Sequence, residues 1–283
     1  MTKLQLENVS YIYSAGTPYE MRALDNVTVG IEEGKITGII GHTGSGKSTF
    51  VQLLNGLEKP MEGRVLLDGQ DIWEKPREIG KIRFRVGLVM QYPEYQLFEE
   101  TIRRDIAFGP RNMGLDEEEI ERRVEMAADF VGLDKELLEK SPFDLSGGQK
   151  RRAAIAGIIA MKPEVLVLDE PAAGLDPVGR DSIFESIMRY RRETGATVVI
   201  VSHSMEDMAR LCDELIVMAR AKVVMQGNCA EIFSRAEELE EIGLAVPQIT
   251  KLISVLRQRG VAVEGSFYTV ADAARALAAI MKQ

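Results

Sequence analysis

Residues 41–48 read GHTGSGKS, a glycine-rich segment that ends in a lysine and a serine. An apolar run precedes it and an apolar-patterned helix follows it, and this setting lets backbone N–H groups turn inward around a phosphate with no Cβ in the way. Lys47 is expected to reach the β- and γ-phosphates, and the Ser48 hydroxyl to bind Mg²⁺. The segment therefore predicts a site for a nucleoside triphosphate with Mg²⁺. Its predicted contact residues are Gly41, Thr43, Gly44, Ser45, Gly46, Lys47, Ser48 and Thr49.

Two carboxylates follow an apolar run in the stretch VLVLDEP, which begins at Val165. Asp169 is expected at the C-terminal end of a buried strand, where open parallel sheets bind their ligands. We expect Asp169 to hold Mg²⁺ through water or through Ser48. Glu170, the next residue, is the candidate base that polarises an attacking water. Together with the phosphate loop, the pair indicates a nucleoside triphosphate and Mg²⁺ but does not distinguish an ATPase from a kinase.

A second candidate anion site lies at residues 145–149, which read LSGGQ and precede a long predicted helix. Ser146, Gly147 and Gly148 would form the N-terminus of that helix, where free N–H groups and the helix dipole favour an anion. The chain thus has two helix ends that could bind phosphate but only one phosphate loop.

With this motif the sequence resembles the ATP-binding subunits of ABC transporters over residues 1 to about 230. The phosphate loop, a glutamine after a strand, LSGGQ, VLVLDEP, AAGLD at 172–176 and VIVSHS at 199–204 occur in the order of that family. The loop AAGLD departs from it by carrying Ala-Gly where Ser-Ala is commoner. The resemblance implies a head-to-tail dimer in which each ATP lies between one chain's Lys47 loop and the partner's LSGGQ. It adds Gln149 and Asp176 to the nucleotide-contacting residues.

The resemblance also assigns roles to three further residues. Tyr13 lies where the family has an aromatic side chain that stacks on adenine, and Tyr11 is the alternative. His203 matches the histidine that contacts the γ-phosphate and the attacking water. Gln91 matches the glutamine that joins the Mg²⁺ site to a transmembrane partner. No role is predicted for His42, the other histidine of the chain.

The stretch QYPEYQLFEE at 91–100 combines aromatic and acidic residues around one proline. It resembles the corresponding stretch of the second of two paralogous A-type ATPases in energy-coupling factor transporters, which import vitamins and transition-metal ions. The resemblance implies a second ATPase and a transmembrane T component as direct partners, with an S component as an indirect one. The glutamates would attract arginines of the T component. The predicted partner groove comprises Tyr92, Glu94, Tyr95, Leu97, Phe98, Glu99 and Glu100.

Strands that alternate with helices predict an α/β fold with a mostly parallel sheet. The pattern favours an N-terminal antiparallel part with a hairpin turn at Asp68-Gly69, and a helical subdomain inserted at about 95–160. Asp116 and Glu119 resemble a capping box within it. We assign residues 1–230 to the ABC ATPase domain and residues 231–283 to a helical C-terminal extension. In that extension Pro247 suits a first helical turn, and Ile249, Leu252, Ile253 and Leu256 form one apolar stripe.

The 283 residues carry a net charge of −9, which argues against nucleic acid as a general partner. The absence of an apolar run of membrane-spanning length and of a signal-like N-terminus predicts a cytoplasmic chain. The resemblance to transporter ATPases implies a peripheral position at the cytoplasmic face of the membrane. The alternatives are the ATPase of another ABC transporter type and an ABC ATPase acting on nucleic acid or ribosomes. The transported substrate, the relative activity of the two composite sites and the choice between homodimer and heterodimer stay open.

Overall fold

Ten strands and eleven α-helices form the regular structure of residues 1–261, 263, 265 and 267–280, which the computed structural model describes. The strands are β1 Thr2–Tyr13, β2 Met21–Glu32, β3 Ile36–Gly41, β4 Glu62–Leu67, β5 Gln70–Asp71, β6 Val86–Val89, β7 Val165–Asp169, β8 Thr197–Val201, β9 Glu214–Ala219 and β10 Lys222–Asn228. The helices are α1 Lys47–Leu54, α2 Ile79–Arg85, α3 Ile102–Asn112, α4 Glu117–Phe130, α5 Gly147–Ile159, α6 Pro177–Thr194, α7 Met205–Leu211, α8 Cys229–Phe233, α9 Ala236–Glu241, α10 Gln248–Gln258 and α11 Val270–Ile280.

The central sheet has the strand order β10-β9-β3-β8-β7-β6. Neighbouring strands from β9 to β6 are parallel, and only the edge strand β10 is antiparallel to its neighbour. Every residue of β3, β7 and β8 is buried, as expected for short apolar strands covered on both faces. The register pairs Asp169 with Val201, so the carboxyl ends of β7 and β8 meet at one edge. The predicted parallel α/β fold is confirmed.

A second sheet, with the order β2-β1-β4-β5, is antiparallel and packs through its apolar face on α1 and the central sheet. The predicted hairpin turn is present, because Leu67 pairs with Gln70 around Asp68 and Gly69. Both turn residues have positive φ, 51° and 76°, which is the backbone that Asp-Gly tolerates in a two-residue hairpin. This sheet is the predicted N-terminal antiparallel part.

Helices α3, α4 and α5 form the helical insertion. Asp116 caps α4 by accepting the backbone N–H of Glu119 at 2.9 Å. The reciprocal half of the predicted capping box is wrong, because the Glu119 carboxylate pairs with Arg122 and Arg123 on the next turn. Two arginines on the same face attract the carboxylate more strongly than one backbone N–H does. The insertion is anchored by the apolar side of α4, which includes Ile120, Val124, Ala127 and Ala128.

The C-terminal segment contributes to two separate cores. Ile232, Phe233, Leu239, Leu244 and Val246 join the core under the central sheet. Residues further along form a small core of their own around Ile253, Val263 and Ala273. The boundary at 230 stays a prediction, since side chains up to 246 pack with the ATPase core.

The helix predicted after Pro247 is present, but Pro247 is its N-cap and the helix begins at Gln248. Of the predicted apolar stripe, Ile249, Ile253 and Leu256 face the small core, whereas Leu252 is 49% exposed. The predicted helical extension also contains α11, and its last three residues, Met281, Lys282 and Gln283, lie outside the described residues. No helix in the described part of the chain has both the length and the apolar character needed to span a membrane.

Candidate active site

The phosphate loop leaves the carboxyl end of β3 and enters α1 through Gly46. Gly46 has φ 103°, and a Cβ there would lie 2.2 Å from the carbonyl oxygen of Ala23 on β2. A Cβ on Gly41 would lie 2.4 Å from the carbonyl oxygen of Met218 on β9. No side chain fits at either position, so the loop is closely packed between two strands. The glycines predicted from the pattern are therefore required by the geometry.

Lys47 is the first residue of α1, and its side chain is buried in the loop. Its Nζ donates hydrogen bonds to the carbonyl oxygens of Gly41 at 2.7 Å and His42 at 3.0 Å. Burial lowers the pKa of Lys47, and the charges of Glu170 and Asp169 oppose this effect. Ser45 Oγ is also buried, and within the described residues it has no hydrogen-bond partner. A buried ammonium and a spare hydroxyl at a helix N-terminus fit an anionic phosphate.

The two predicted carboxylates lie opposite the loop. Asp169 ends β7, is 8% exposed and lines the same cavity as Ser48. Burial raises its pKa, against the effects of Ser48, Lys47 and His203. An oxygen pair formed by a hydroxyl and a carboxylate, next to the phosphate loop, fits the ligand preference of Mg²⁺.

Glu170 is held in a left-handed backbone conformation with φ 51°, which is uncommon for a residue with a long side chain. Its backbone N–H donates to the carbonyl oxygen of Val201 at 3.0 Å, which ties the turn to β8. Burial, together with the nearby charge of Asp169, raises the pKa of Glu170 to about 7. A carboxyl group of this kind is suited to exchange a proton near neutral pH.

His203 follows β8 and faces Glu170. Its Nε2 atom lies 3.2 Å from Glu170 Oε1. Burial and the charge of Lys47 lower the pKa of His203, which favours the neutral imidazole. Ser204, the next residue, caps α7 by accepting the N–H of Asp207 at 3.2 Å, so the turn that carries His203 is fixed on both sides.

A cavity of about 300 Å³ brings these residues together. Its predicted lining residues are Thr43, Gly44, Gly46, Lys47, Ser48, Thr49, Gln91, Asp169, Glu170 and His203. The cavity is also lined by Met21, Arg22 and Ala23 at the start of β2, which the sequence analysis missed. These three residues belong to no motif, and only the pairing of the two sheets brings them to the loop.

The other predicted nucleotide-contacting residues lie outside this cavity. Ser146 and Gln149 cap α5 with a reciprocal pair of side-chain to backbone hydrogen bonds. Asp176 caps α6 by accepting the N–H of Gly179 at 2.7 Å. Gly147 and Gly148 have open space where a Cβ would point. The α5 terminus is therefore an ordered helix end in which Gly147 and Gly148 leave room for a close neighbour.

Tyr13 lies beside the phosphate loop. Its hydroxyl is 3.2 Å from Thr49 Oγ1 and 3.4 Å from Gln52 Oε1 on α1. Tyr11 packs against Tyr13 edge to face, with ring centroids 4.9 Å apart, and donates its hydroxyl proton to Glu58. The hydroxyl contact with Thr49 places Tyr13 next to a residue of the cavity.

A second cavity, of about 270 Å³, lies beside the predicted partner stretch. It is lined mainly by apolar residues of the 91–98 segment, α3 and α5, including Leu97, Phe98, Phe108 and Ile158, and by Met161 just after α5. We call this cavity the groove. Phe98 is 63% exposed and packs edge to face on Phe108, with ring centroids 4.9 Å apart. Of the seven residues predicted for a partner groove, Leu97 and Phe98 line it.

The remaining predicted partner residues have other positions. Tyr92 and Tyr95 are exposed and lie near each other, with ring centroids 6.2 Å apart. Glu100 pairs with Arg104 on α3, and the backbone N–H of Glu99 donates to Asp105 at 2.9 Å. These four residues are not among those that line the groove.

Glu94 forms a buried ion pair within its own chain. Both of its carboxylate oxygens accept hydrogen bonds from Arg151 on α5, at 2.6 and 2.9 Å, and only 14% of its side chain is exposed. A carboxylate already bound by a guanidinium fork has less capacity left for an arginine of another protein. The predicted contact of Glu94 with a partner protein stays a prediction.

Comparisons with known proteins agree with this site. The profile of the ABC transporter family matches residues 24–173, which include the phosphate loop and both carboxylates. The chain is 53% identical over 280 residues to the energy-coupling factor transporter ATP-binding protein EcfA2 of Clostridium perfringens, covering 99% of this chain and 98% of the relative. It is 53% identical over 270 residues to the protein of the same name from Caldanaerobacter subterraneus subsp. tengcongensis, covering 95% of this chain and 94% of that one.

Two solved structures are similar across most of the fold. The structure of cbiO1 from Clostridium perfringens, described as part of the ABC transporter complex cbiONQ, has a TM-score of 0.75 and 39% identity, covering 89% of this chain and 99% of that one. The dimeric post-hydrolysis structure of the ATP-binding cassette MJ0796 with ADP and Pi has a TM-score of 0.72 and 29% identity, covering 80% and 98%. The phosphate loop, its paired carboxylates and these relatives identify the chain as a member of the ABC transporter ATP-binding family, within the group of energy-coupling factor transporter ATP-binding proteins of the EcfA2 type.

Proposed function

We propose that this chain hydrolyses ATP with Mg²⁺ in a dimer of ATPases and drives an energy-coupling factor importer through a transmembrane T component. The observation that carries the catalytic part is the position of Glu170 and His203, 3.2 Å apart, in the cavity that also contains Lys47. A base and a neutral imidazole next to a phosphate-binding lysine suit the attack of water on a terminal phosphate.

In this proposal the loop amides and Lys47 bind the β- and γ-phosphates. Glu170 accepts the proton of the attacking water, and His203 orients that water and the γ-phosphate. Mg²⁺ would be held by Ser48, Asp169 and Gln91, and would neutralise charge on the phosphate oxygens. The cavity supports this ligand set, because Ser48, Gln91 and Asp169 all line it and each carries an oxygen that can bind Mg²⁺.

The proposed dimer completes the site from a second chain. Ser146, Gly147, Gly148 and Gln149 would bind the γ-phosphate of the ATP held by the partner's loop, with Asp176 beside it. The helix N-terminus at Gly147 supports this role, since its N–H groups favour an anion and its glycines leave space for one. We infer that the partner is a paralogous ATPase, and that Tyr13 stacks on adenine.

The groove is the proposed docking site for a coupling helix of the T component. An exposed phenylalanine at the mouth of an apolar cavity is a common anchor for a partner helix. Glu99 and Glu100 are the carboxylates proposed to meet basic residues of such a helix. The Glu100 side chain is 80% exposed although it pairs with Arg104, whereas Glu94 is 14% exposed and held by Arg151. The proposed location is the cytoplasmic face of the membrane, and an S component would choose the vitamin or metal ion.

Affinity purification of the full chain from membranes of its native cells tests this function. Co-purification of a second ATPase and a small integral membrane protein, with ATP hydrolysis by the complex, is the expected result. Recovery of ribosomes or DNA in place of membrane proteins would contradict the transporter proposal and favour an ABC ATPase that acts on nucleic acid. A membrane partner without the second ATPase would favour another ABC transporter type.

A further inference from the structure

Arg151 is a buried cation in the second turn of α5. Only 2% of the residue is exposed, although arginine is seldom fully buried unless it is paired. It lies in the helix that begins with the LSGGQ segment, and its side chain contacts two other segments.

The guanidinium of Arg151 makes three kinds of contact. Nε and Nη2 bind the two oxygens of Glu94 in the 3₁₀ turn Pro93–Gln96, and Nη1 donates to the carbonyl oxygen of Ala173. Its central carbon lies 5.8 Å from the centroid of the Tyr92 ring. One side chain thus joins α5, the segment after Gln91 and the loop that connects Glu170 to Asp176.

Each contacted segment has its own link to the site. The N–H of Ala173 donates to the carbonyl oxygen of Glu170 at 3.1 Å. Ala173, which Arg151 contacts, is therefore bonded directly to the backbone of the candidate base. Tyr92 has φ 54°, a left-handed conformation that a bulky side chain adopts only when its surroundings hold it there. Tyr92 directly follows Gln91, which lines the ATP cavity.

Separating Glu94 from Arg151 is energetically unfavourable. A carboxylate and a guanidinium that share two hydrogen bonds in a buried position lose both the bonds and the compensation of charge when they part. Burial would raise the pKa of Glu94, but the hydrogen bonds from Arg151 prevail and lower it. When the Glu170–Asp176 loop shifts, the least costly response is for the Glu94 turn to move with Arg151.

We propose that Arg151 is a positioning residue that transmits nucleotide-dependent movement from the loop between Glu170 and Asp176 to the 91–98 segment at the groove. The inference rests on the proposed ATP binding but does not depend on the identity of the membrane partner. Lysine cannot replace Arg151 in this role, because a single ammonium cannot hold the planar fork on Glu94 and reach Ala173 as well.

Hydrogen exchange of the full chain, with and without ATP and Mg²⁺, measures this transmission. The parent carries Glu170→Gln so that ATP persists, and the test variants add Arg151→Lys or Glu94→Gln. The matched control adds Arg85→Lys, because Arg85 binds both oxygens of Glu164 with the same fork, at 2.6 and 2.8 Å, remote from the site. We expect ATP to change exchange in peptides covering 91–98 in the parent and control, and the change to fall about fivefold or more in both test variants. ATP affinity should stay within about threefold.

A full ATP response at 91–98 in either folded test variant would overturn the inference, as would a parent that binds ATP without any response there. An equal loss in the Arg85→Lys control would also overturn it, since general loosening would then explain the effect. ATP affinity is measured by titration before the exchange experiment. Failure of the parent to bind ATP in that titration would instead refute the proposed function.

Discussion

His203 Nε2 lies 3.2 Å from Glu170 Oε1 because β7 and β8 are parallel neighbours whose carboxyl ends meet. The register that pairs Asp169 with Val201 sets this distance, so the relation between the two side chains is a property of the sheet. Burial acts on both groups in the direction of the neutral form: it raises the pKa of Glu170 and lowers that of His203. A neutral imidazole and a carboxyl group with a pKa near 7 can both exchange a proton with a water molecule that lies between these two groups and a bound phosphate.

Glu170→Gln should lower the turnover of ATP about 10²- to 10³-fold while ATP still binds, because the amide fills the same space but cannot accept the proton. Single-turnover hydrolysis and equilibrium binding of a fluorescent ATP analogue measure the two effects. Unimpaired turnover would remove Glu170 from the role of base.

His203→Ala should lower turnover about 10²-fold, since it removes the group that orients water and the γ-phosphate. The matched control is His42→Ala, the only other histidine, whose Nδ1 contacts the neighbouring carbonyl oxygen of Thr43. We expect the control to retain turnover within about threefold. Equal effects of the two substitutions would mean that His203 has no special role.

Chelation of Mg²⁺ with EDTA should abolish hydrolysis, and Ser48→Ala should raise the Mg²⁺ concentration needed for half-maximal turnover about tenfold. The physical reason is loss of the Ser48 hydroxyl, which lines the cavity together with Asp169 and is a proposed ligand of Mg²⁺. Ser186→Ala is the control, because the Ser186 hydroxyl bonds only within α6, to the carbonyl oxygen of Ser182 at 2.9 Å. A Mg²⁺ titration that is the same for both variants would exclude Ser48 as a ligand.

Phe98→Asp should weaken assembly with the membrane partner about tenfold or more, since it puts a charge at the mouth of the groove. Phe98 is 63% exposed, so the isolated chain should keep its melting temperature and its ATP affinity. Met61→Asp, at a residue 52% exposed and outside the groove lining, is the control for added surface charge. Complex yield after detergent extraction is the measurement, and equal yields for the two variants would place the partner elsewhere.

Arg85→Gln should flatten the acid dependence of stability. Hydrogen bonds from Arg85 lower the pKa of Glu164 from 4.5 to about 2 in the folded chain, with a further contribution from Lys3 against the effect of burial. Because the folded pKa is below the unfolded one, the stabilisation is complete above about pH 5 and is lost as the pH falls toward 2. Urea unfolding between pH 7 and pH 3 should show a smaller decline for the variant than for the wild type. A parallel decline would assign the acid sensitivity to other groups.

The features that the sequence predicted best are formed by residues close together along the chain. The phosphate loop is recognisable because glycines and a lysine at fixed spacing serve one continuous turn, and Gly46 and Gly41 prove to have no room for a side chain. The buried strands β3, β7 and β8 are short apolar runs, so their parallel pairing follows from the alternation with helices.

What the sequence could not give depends on contacts between distant segments. Glu94 reads as a surface acid among other acids, and only the fold brings Arg151 to it. Ala23 carries no chemical signature, yet its carbonyl oxygen limits the space at Gly46. The sequence pattern suits Pro247 to the first helical turn, whereas Pro247 is the N-cap of α10. The sequence does not separate these positions, because a proline is compatible with both.

The packing of Leu244 and Val246 in the same core as Met205 and Met208 has a consequence for how this chain could exchange parts with its relatives. Residues 232–246 and the helix that follows His203 contribute to one hydrophobic core, so a junction at 230 would divide that core between two parts. We expect a fusion or swap of the C-terminal region to leave this core intact when the splice follows Val246. The core shared with the ATP site thus extends some forty residues past the last recognisable motif, which ends at Ser204.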